Sequence, residues 1–222
     1  MSMCSPDVTQ RLRESLVTTM QALDASGLNV GTTGNASVRC GDGLLITPSA
    51  VPADRLTPDQ IVMLSLDGRI EGAGKPSSEW RFHCDVLRAK PEVNALVHTH
   101  STHASALACT GRSIPAFHYM VAVAGGHDIP CAPYATFGTP ELSHAVVQAL
   151  EARRACLLAN HGVIATAADL DSARMLVGYV EHLAEMYAAA LRLGDVKYLD
   201  AAQMDEVLAK FAGYGGLKPD RD

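Results

Sequence analysis

Apolar residues recur along the chain with two periods, one typical of helices and one typical of strands. Apolar side chains at every third or fourth position from Val8 to Leu23, and again from Val180 to Leu191, predict amphipathic helices over 5–26 and 169–193. Shorter helices are predicted by similar spacing together with capping residues; they cover 77–89, 102–109, 139–152 and 202–211. In the first of these, serine is expected at the N-cap and Glu79 in the first turn.

Short apolar runs bounded by turn residues predict the strands. They cover 35–38, 44–49, 61–64, 94–100 and 155–159, with hairpin turns at 41–43 and 67–68. The segment 119–138 is expected to be mostly short strand and loop. Helices and strands alternate without a linker or an internal repeat. We therefore predict one α/β domain over 1–222, with a central, mostly antiparallel sheet flanked by helices.

Composition narrows the classes of partner. The net charge is -6, and no run of lysine and arginine provides a basic surface for nucleic acid or an anionic membrane. A small anionic substrate stays compatible with this charge, because backbone amides and a bound metal can attract it. The 6 cysteines form no C-x-x-C pair, and no signal peptide or membrane span is apparent. A cytoplasmic protein is expected.

The run that ends in His98-Thr99-His100 carries the clearest chemical signal. In a strand, side chains two positions apart share a face, so the two imidazoles would lie side by side, as metal binding requires. His161 ends another apolar run, and Glu79 follows a Gly/Pro/Ser loop. Three imidazoles and a carboxylate suit zinc or a similar divalent ion. The alternative is a closed structural zinc site, but such sites are usually rich in thiolates, and no cysteine has the spacing.

A second group consists of small polar residues on Gly/Pro loops: Asn35, Ser49, Ser77 and Ser78. Backbone amides and hydroxyls on such loops can hold a phosphate without any lysine. The alternative for Ser77 and Ser78 is that they merely cap a helix.

Several motifs together resemble one known family in order and spacing. They are Gly34-Asn35-Ala36-Ser37-Val38-Arg39, Ile46-Thr47-Pro48, Lys75-Pro76-Ser77-Ser78-Glu79, His98-Thr99-His100 and Asn160-His161-Gly162. The chain is similar to the class II aldolase/adducin family over nearly its whole length, and most similar to its bacterial members that cleave L-fuculose 1-phosphate. The resemblance implies the α/β fold of these aldolases.

The resemblance also implies roles for individual residues. Zinc would be held by Glu79, His98, His100 and His161, and the phosphate by Asn35, Ser49, Ser77, Ser78 and neighbouring amides. The family implies a C4 homotetramer with active sites at subunit interfaces. Tyr119 would reach a neighbouring site as a proton donor. Tyr214 would close the pocket over the aldehyde half of the substrate, which Phe137 would also line.

The implied reaction is reversible, zinc-dependent aldol cleavage of a ketose 1-phosphate to dihydroxyacetone phosphate and an aldehyde. Zinc would act as a Lewis acid and Glu79 as the general base that moves the C3 proton. No Schiff-base lysine is needed. Lys75 is the one lysine within a motif, and its loop position offers little desolvation to lower its pKa.

Other functions within the family stay open at this point. L-fuculose 1-phosphate is the default substrate, with 5-deoxyribulose 1-phosphate or 5-methylthioribulose 1-phosphate, in salvage of S-adenosylmethionine by-products, as the alternative. A ribulose-phosphate 4-epimerase is less favoured, because such members carry Asp in place of Glu79. A methylthioribulose-1-phosphate dehydratase and a non-catalytic, adducin-like module are also less favoured.

Two positions, Ala50 and Asn160, depart from the family pattern. His83 is interpreted as a packed or capping histidine rather than a ligand.

Overall fold

A computed structural model describes residues 4–211 of the chain. Strands and helices alternate, as the sequence predicts. The strands are β1 Asn35–Cys40, β2 Gly43–Ile46, β3 Val62–Ser65, β4 Ile70–Glu71, β5 Ala95–Thr99, β6 Cys131–Ala132, β7 Ala155–Leu158 and β8 Gly162–Ala167. The helices are α1 Pro6–Ala25, α2 Trp80–Ala89, α3 Thr102–Ala108, α4 Pro140–Leu150, α5 Leu170–Leu193 and α6 Ala201–Phe211.

The strands form one sheet in the order β4-β3-β2-β1-β5-β8-β7-β6. Its neighbouring strands run antiparallel, except that β6 and β7 are parallel. Helices cover both faces. One apolar core packs α1, α3 and α5 against the sheet, and the other packs α2 and α4 against the opposite face. The α/β architecture with a mostly antiparallel sheet is therefore confirmed.

Three local predictions were wrong. The sequence reasoning missed β8, which forms a hairpin with β7 and lies between β5 and β7 in the sheet. It missed the 3₁₀ helix Tyr119–Ala124, in a segment expected to be strand and loop. It also placed a serine at the N-cap of α2, whereas Glu79 occupies that position and makes no side-chain capping bond. A carboxylate that does not cap its own helix is available for another partner.

The alternation of side chains along the two central strands positions the site. Ala36 and Val38 of β1 belong to the core beneath α5, so Asn35 and Ser37 lie on the opposite face, beneath α2. In β5 the same alternation puts His98 on the face that α2 covers, where its ring lies 5.7 Å from that of Phe82. Polar side chains of two strands thus meet the N-terminal turn of one helix.

Two further observations concern the cysteines and the helices. All 6 cysteines of the sequence are free thiols. Within residues 4–211, no helix combines the length and the apolar character that crossing a lipid bilayer requires.

Candidate active site

Four side chains from separate parts of the chain converge at one end of the central strands. His98 belongs to β5 and His100 follows that strand, Glu79 precedes α2, and His161 lies in the turn between β7 and β8. One donor atom from each side chain lies within 4.8 Å of the other three. The fold thus brings together the four residues that the sequence pattern selected.

The spacing of these donor atoms suits a single divalent ion. The Nε2 atoms of His98 and His100 are 3.0 Å apart. Glu79 Oε2 lies 3.2 Å from His98 Nε2, and Glu79 Oε1 lies 3.2 Å from His161 Nε2. Two ligands bound to one tetrahedral zinc ion at about 2.1 Å lie about 3.4 Å from each other. The observed separations are close to that value.

Hydrogen bonds outside the cluster orient the ligand atoms. His98 Nδ1 donates to the backbone carbonyl of Val163 at 2.9 Å, which leaves the lone pair of Nε2 directed at the cluster. Glu79 Oε2 accepts from Asn35 Nδ2 at 2.9 Å. Glu79 Oε1 is buried and has no hydrogen-bond donor. A buried carboxylate oxygen without a donor, facing imidazole nitrogens, fits a metal ligand.

Burial and neighbouring charge set the protonation of the cluster. Burial alone would raise the pKa of the Glu79 carboxyl, but His98 and then His161 lower that pKa overall. Burial, with a smaller contribution from His98, lowers the pKa of His100 to about 4 and that of His161 to about 4. At neutral pH Glu79 is therefore an anionic carboxylate, and the imidazoles of His100 and His161 are neutral. Those are the forms that bind a metal.

Close backbone approach at Gly162 makes this packing of rings possible. A Cβ atom at that position would lie 2.4 Å from Thr99 O, 3.0 Å from His100 Cδ2 and 3.2 Å from His98 Cε1. The groups that approach Gly162 are thus a backbone oxygen at the end of β5 and two imidazole rings of the cluster. Gly162 opens β8, so the strand missed from the sequence is the one that carries this contact.

A cavity of about 340 Å³ opens beside the cluster. Glu79, His100 and His161 line it, so two imidazoles and the carboxylate are accessible to a ligand while His98 is fully buried. Five further residues selected from the sequence also line the cavity: Asn35, Ser49, Ser77, Ser78 and Phe137. Sequence reasoning missed several of its lining residues: Thr32, Thr33, Tyr134 and Ala135.

The loops that carry the serines are tied to each other by backbone hydrogen bonds. The amide of Ser49 donates to Lys75 O at 3.1 Å, and that of Ser77 donates to Thr47 O at 3.0 Å. These two amides therefore join the loops rather than face the cavity. The hydroxyls of Ser49 and Ser78, and the N-terminal end of α2, remain as groups that attract an anion at this wall.

The two tyrosines selected from the sequence lie apart from this arrangement. Tyr119 is 50% exposed, begins the 3₁₀ helix, and stacks on Phe211 with ring centroids 6.4 Å apart. It is not among the residues that line the cavity. Tyr214 lies outside the described residues.

The two departures from the family pattern share a backbone feature. Ala50 has φ 61° and Asn160 has φ 56°, so both lie in the left-handed region, and both line the cavity. Asparagine tolerates this conformation better than alanine does. At two positions of the cavity wall, the fold therefore requires a left-handed backbone conformation.

His83 is fully buried and is not one of the four candidate ligands, in agreement with its interpretation as a packed residue. The structure adds that its two ring nitrogens bond to Ser37 and Asn35. The signal was present in the spacing. Glu79 and His83 are four residues apart across the start of α2, and Asn35 and Ser37 are two apart on β1, so each pair shares a face.

Comparisons with known proteins agree with this geometry. The family model for the Class II Aldolase and Adducin N-terminal domain matches residues 14–188. The 5-methylthioribulose-1-phosphate/5-deoxyribulose-1-phosphate aldolase of Rhodospirillum rubrum is 52% identical over 204 residues, which cover 92% of this chain and 92% of that protein. An L-fuculose phosphate aldolase of Escherichia coli is 47% identical over 206 residues, covering 92% and 96%.

Solved structures give the same result for the fold. An L-fuculose 1-phosphate aldolase superposes with a TM-score of 0.89 at 37% identity, covering 94% of this chain and 98% of that one. The corresponding values for the l-fuculose-1-phosphate aldolase of Thermus thermophilus are 0.74, 31%, 85% and 99%. Together with the matched family model, these relatives show that the chain belongs to the class II aldolase and adducin family.

Proposed function

We propose that this chain is a metal-dependent aldolase, and thus a lyase, that reversibly cleaves a ketose 1-phosphate to dihydroxyacetone phosphate and an aldehyde. The observation that carries the proposal is the cluster of Glu79, His98, His100 and His161 beside a cavity that serines also line. The relatives described above are named as aldolases of sugar phosphates. We take residues 1–222 as one domain with this function.

Zinc is the proposed metal, because three imidazoles and one carboxylate at these separations suit its tetrahedral coordination. Bound there, it would supply Lewis-acid stabilisation for the negative charge that develops on the ketose carbonyl oxygen. The chain's own residues then have to bind the phosphate, move a proton and exclude water.

Glu79 is the proposed general base and acid at C3 of the dihydroxyacetone phosphate half. Its Oε2 is held by Asn35, whereas the buried Oε1 has no donor and lies 3.2 Å from Nε2 of His161, a residue that lines the cavity. Asn35, Ser49, Ser77 and Ser78 are the proposed phosphate-binding residues. The N-terminal end of α2, which follows Ser77 and Ser78, favours an anion at this position.

The aldehyde half is proposed to contact aromatic residues. Phe137 and Tyr134 are each 63% exposed and line the cavity, so they offer apolar surface for the carbons beyond C4. Tyr119 is proposed to act at the site of a neighbouring subunit as the proton donor to the C4 oxygen, within a C4 homotetramer. Its ring is half exposed and lies away from the lining of the cavity in its own chain. Tyr214 is proposed to help close the site.

Two classes of substrate remain as candidates. L-fuculose 1-phosphate is supported by the Escherichia coli relative, and 5-deoxyribulose 1-phosphate or 5-methylthioribulose 1-phosphate, in salvage of S-adenosylmethionine by-products, by the Rhodospirillum rubrum relative. These substrates share the phosphate and carbonyl half and differ only beyond C4. The residues around the metal cluster therefore cannot distinguish these substrates. We expect the aromatic residues of the cavity, Phe137 and Tyr134, to distinguish them. Epimerisation, dehydration and a non-catalytic role receive no comparable support.

The decisive experiment supplies zinc-loaded protein with dihydroxyacetone phosphate and, separately, L-lactaldehyde, acetaldehyde or (methylthio)acetaldehyde. We expect condensation with at least one aldehyde, and the ratio of kcat/KM values identifies the physiological class. Protein stripped by a chelator should be inactive, and zinc should restore it. Lack of condensation with all three aldehydes would refute the aldolase function.

A subunit-mixing experiment tests the role of Tyr119. Glu79→Gln and Tyr119→Phe should each have low activity alone. When the two are unfolded together and reassembled, some sites combine an intact Glu79 with an intact Tyr119 from the neighbour, and activity should rise above that of either parent. Absence of any rise in confirmed mixed oligomers would place Tyr119 outside the neighbouring site.

A further inference from the structure

A chain of buried hydrogen bonds runs from Ser37 on β1 to Glu79. Ser37 Oγ lies 2.7 Å from His83 Nδ1, His83 Nε2 lies 2.6 Å from Asn35 Oδ1, and Asn35 Nδ2 lies 2.9 Å from Glu79 Oε2. Ser37 and His83 are fully buried, and Asn35 is 4% exposed. Such a chain is costly to bury unless each member has a partner.

The hydrogen bond between Asn35 and Glu79 determines which atom donates in each of the other two bonds. An amide nitrogen donates, and the Glu79 carboxylate accepts, so Asn35 Nδ2 faces Glu79 and Asn35 Oδ1 faces His83. His83 Nε2 therefore carries a hydrogen and donates to Asn35, which leaves Nδ1 to accept from the Ser37 hydroxyl. One tautomer of the imidazole satisfies the whole chain. Burial lowers the pKa of His83 to about 3, in agreement with a neutral ring.

The arrangement fixes one carboxylate oxygen and leaves the other free. Glu79 Oε2 is held by the chain, whereas Oε1 is buried without a donor, 3.2 Å from His161 Nε2. If the Asn35 amide turned over, its carbonyl oxygen would face the carboxylate, and two acceptors would repel each other at this distance. His83 prevents that by offering a donor to Asn35 Oδ1.

We infer that His83 is a positioning residue for the aldolase reaction: through a fixed tautomer it holds the Asn35 amide, and through Asn35 it orients Glu79. The inference rests on the proposed function for its effect on turnover. Its effect on metal binding and on the tautomer of His83 does not depend on which substrate is cleaved. Ser37 completes the chain by occupying the second ring nitrogen.

Two substitutions of His83 separate positioning from packing. In His83→Gln the side-chain amide reaches about as far as Nε2 and can still donate to Asn35, whereas in His83→Asn the shorter amide reaches only as far as Nδ1. Both are polar and similar in size. We expect His83→Asn to lower zinc affinity and kcat by about 10- to 100-fold, because it releases Asn35 and the loss of such a direct partner of a metal ligand usually has an effect of this size. His83→Gln should retain most of both.

A control on the same helix reports what a purely structural change does. Cys84→Ala alters a buried side chain of α2 whose Sγ faces Ser65 O rather than the cluster. It should lower the free energy of unfolding without changing zinc affinity. Zinc affinity is measured by competition with a chromogenic chelator, and stability by urea unfolding of the metal-free proteins.

The outcomes decide the inference in either direction. If His83→Gln and His83→Asn lose zinc affinity alike, or neither loses it, His83 does not position Glu79. If the variants do not fold, nitrogen NMR of the wild-type protein still tests the inference, because the His83 ring must carry its hydrogen on Nε2 and not on Nδ1. If no aldehyde is condensed, the function fails, while the zinc affinities and the tautomer still test the positioning of Glu79.

Discussion

The Nε2 atom of His98 lies 3.0 Å from the Nε2 atom of His100. Because His98 Nδ1 donates to the Val163 carbonyl, the facing Nε2 of a neutral His98 has only a lone pair. Two imidazole lone pairs would repel at this distance, so in the metal-free protein a neutral His100 has to carry its hydrogen on Nε2 and donate it to His98 Nε2. With the hydrogen on Nδ1 of His100 instead, both Nε2 lone pairs are available to one cation. Burial lowers the pKa of His100, which keeps its ring in the neutral form that a metal binds.

Glu79→Gln should separate metal binding from proton transfer. The substitution keeps the size of the side chain and one carbonyl oxygen but removes the base, so much of the zinc should be retained. Exchange of the C3 proton of dihydroxyacetone phosphate with solvent, followed by NMR in D₂O, should fall by about 10²- to 10⁴-fold. Exchange at the wild-type rate would show that another group is the base.

Glu181→Gln is the matched control for that experiment. Glu181 is also a partly buried carboxylate, but it accepts from the amides of His103 and Ala104 at the start of α3 and does not line the cavity. We expect this variant to be less stable and to exchange the C3 proton at close to the wild-type rate.

The sequence predicted which four residues form the candidate metal site, and the structure brings them together, but the sequence did not predict how the fold assembles them. The i, i+2 spacing of His98 and His100 fixes a shared strand face whatever the tertiary structure is. The position of His161 depends on β8, Gly162–Ala167, a strand that is not among those predicted from the apolar runs. Glu79 was expected inside the first turn of α2, and long-range bonds to Asn35 instead hold it at the N-cap.

Gly162→Ala should disrupt the cluster without altering any of its ligands. The new Cβ would lie 2.4 Å from a backbone oxygen, Thr99 O, so β5 and β8 have to separate. We expect the free energy of unfolding to fall by about 1–3 kcal/mol and zinc affinity to fall with it. Urea unfolding and chelator competition measure the two effects. Unchanged stability would contradict the close approach of these strands.

Gly178→Ala is the same substitution at a position where we expect stability to rise. Gly178 lies within α5, and a Cβ there would meet no atom within 4 Å. Alanine is a better helix former than glycine, so this variant should be more stable by about 0.5–1 kcal/mol, with zinc affinity unchanged.

The metal-free protein should lose stability as the pH falls from about 6.5 to 4. Burial lowers the pKa of His83 to about 3 and the pKa values of His100 and His161 to about 4. In this range the unfolded chain binds protons at these histidines and the folded chain does not, so acid favours unfolding. Each such histidine contributes a slope of at most about 1.4 kcal/mol per pH unit.

Urea unfolding of chelator-treated protein at pH 7.5, 6.5, 5.5 and 4.5 measures this dependence. Below about pH 4.5 the lowered pKa of Glu79 acts in the same direction, because its carboxylate is stabilised only when ionised. Zinc-loaded protein should lose its additional stability over the same range, since protons compete for the ligands. Equal stability at pH 7.5 and 5.5 without metal would show that these histidines are not buried in neutral form.

Ala50→Gly tests the backbone of the proposed phosphate-binding wall. Ala50 has φ 61°, a conformation that costs an L-residue with a Cβ about 1–2 kcal/mol, whereas glycine adopts it freely. Part of this gain is offset because glycine loses more conformational entropy on folding. We expect the free energy of unfolding to rise by about 0.5–1 kcal/mol, with kcat/KM almost unchanged because the amide of residue 50 is retained.

In the control Asn160→Gly, at φ 56°, the gain should be smaller, since asparagine tolerates the left-handed region. Loss of stability in Ala50→Gly would mean that the alanine methyl group packs well enough to outweigh its backbone cost, and the wall would then be held by side-chain contacts rather than by the conformation of the turn.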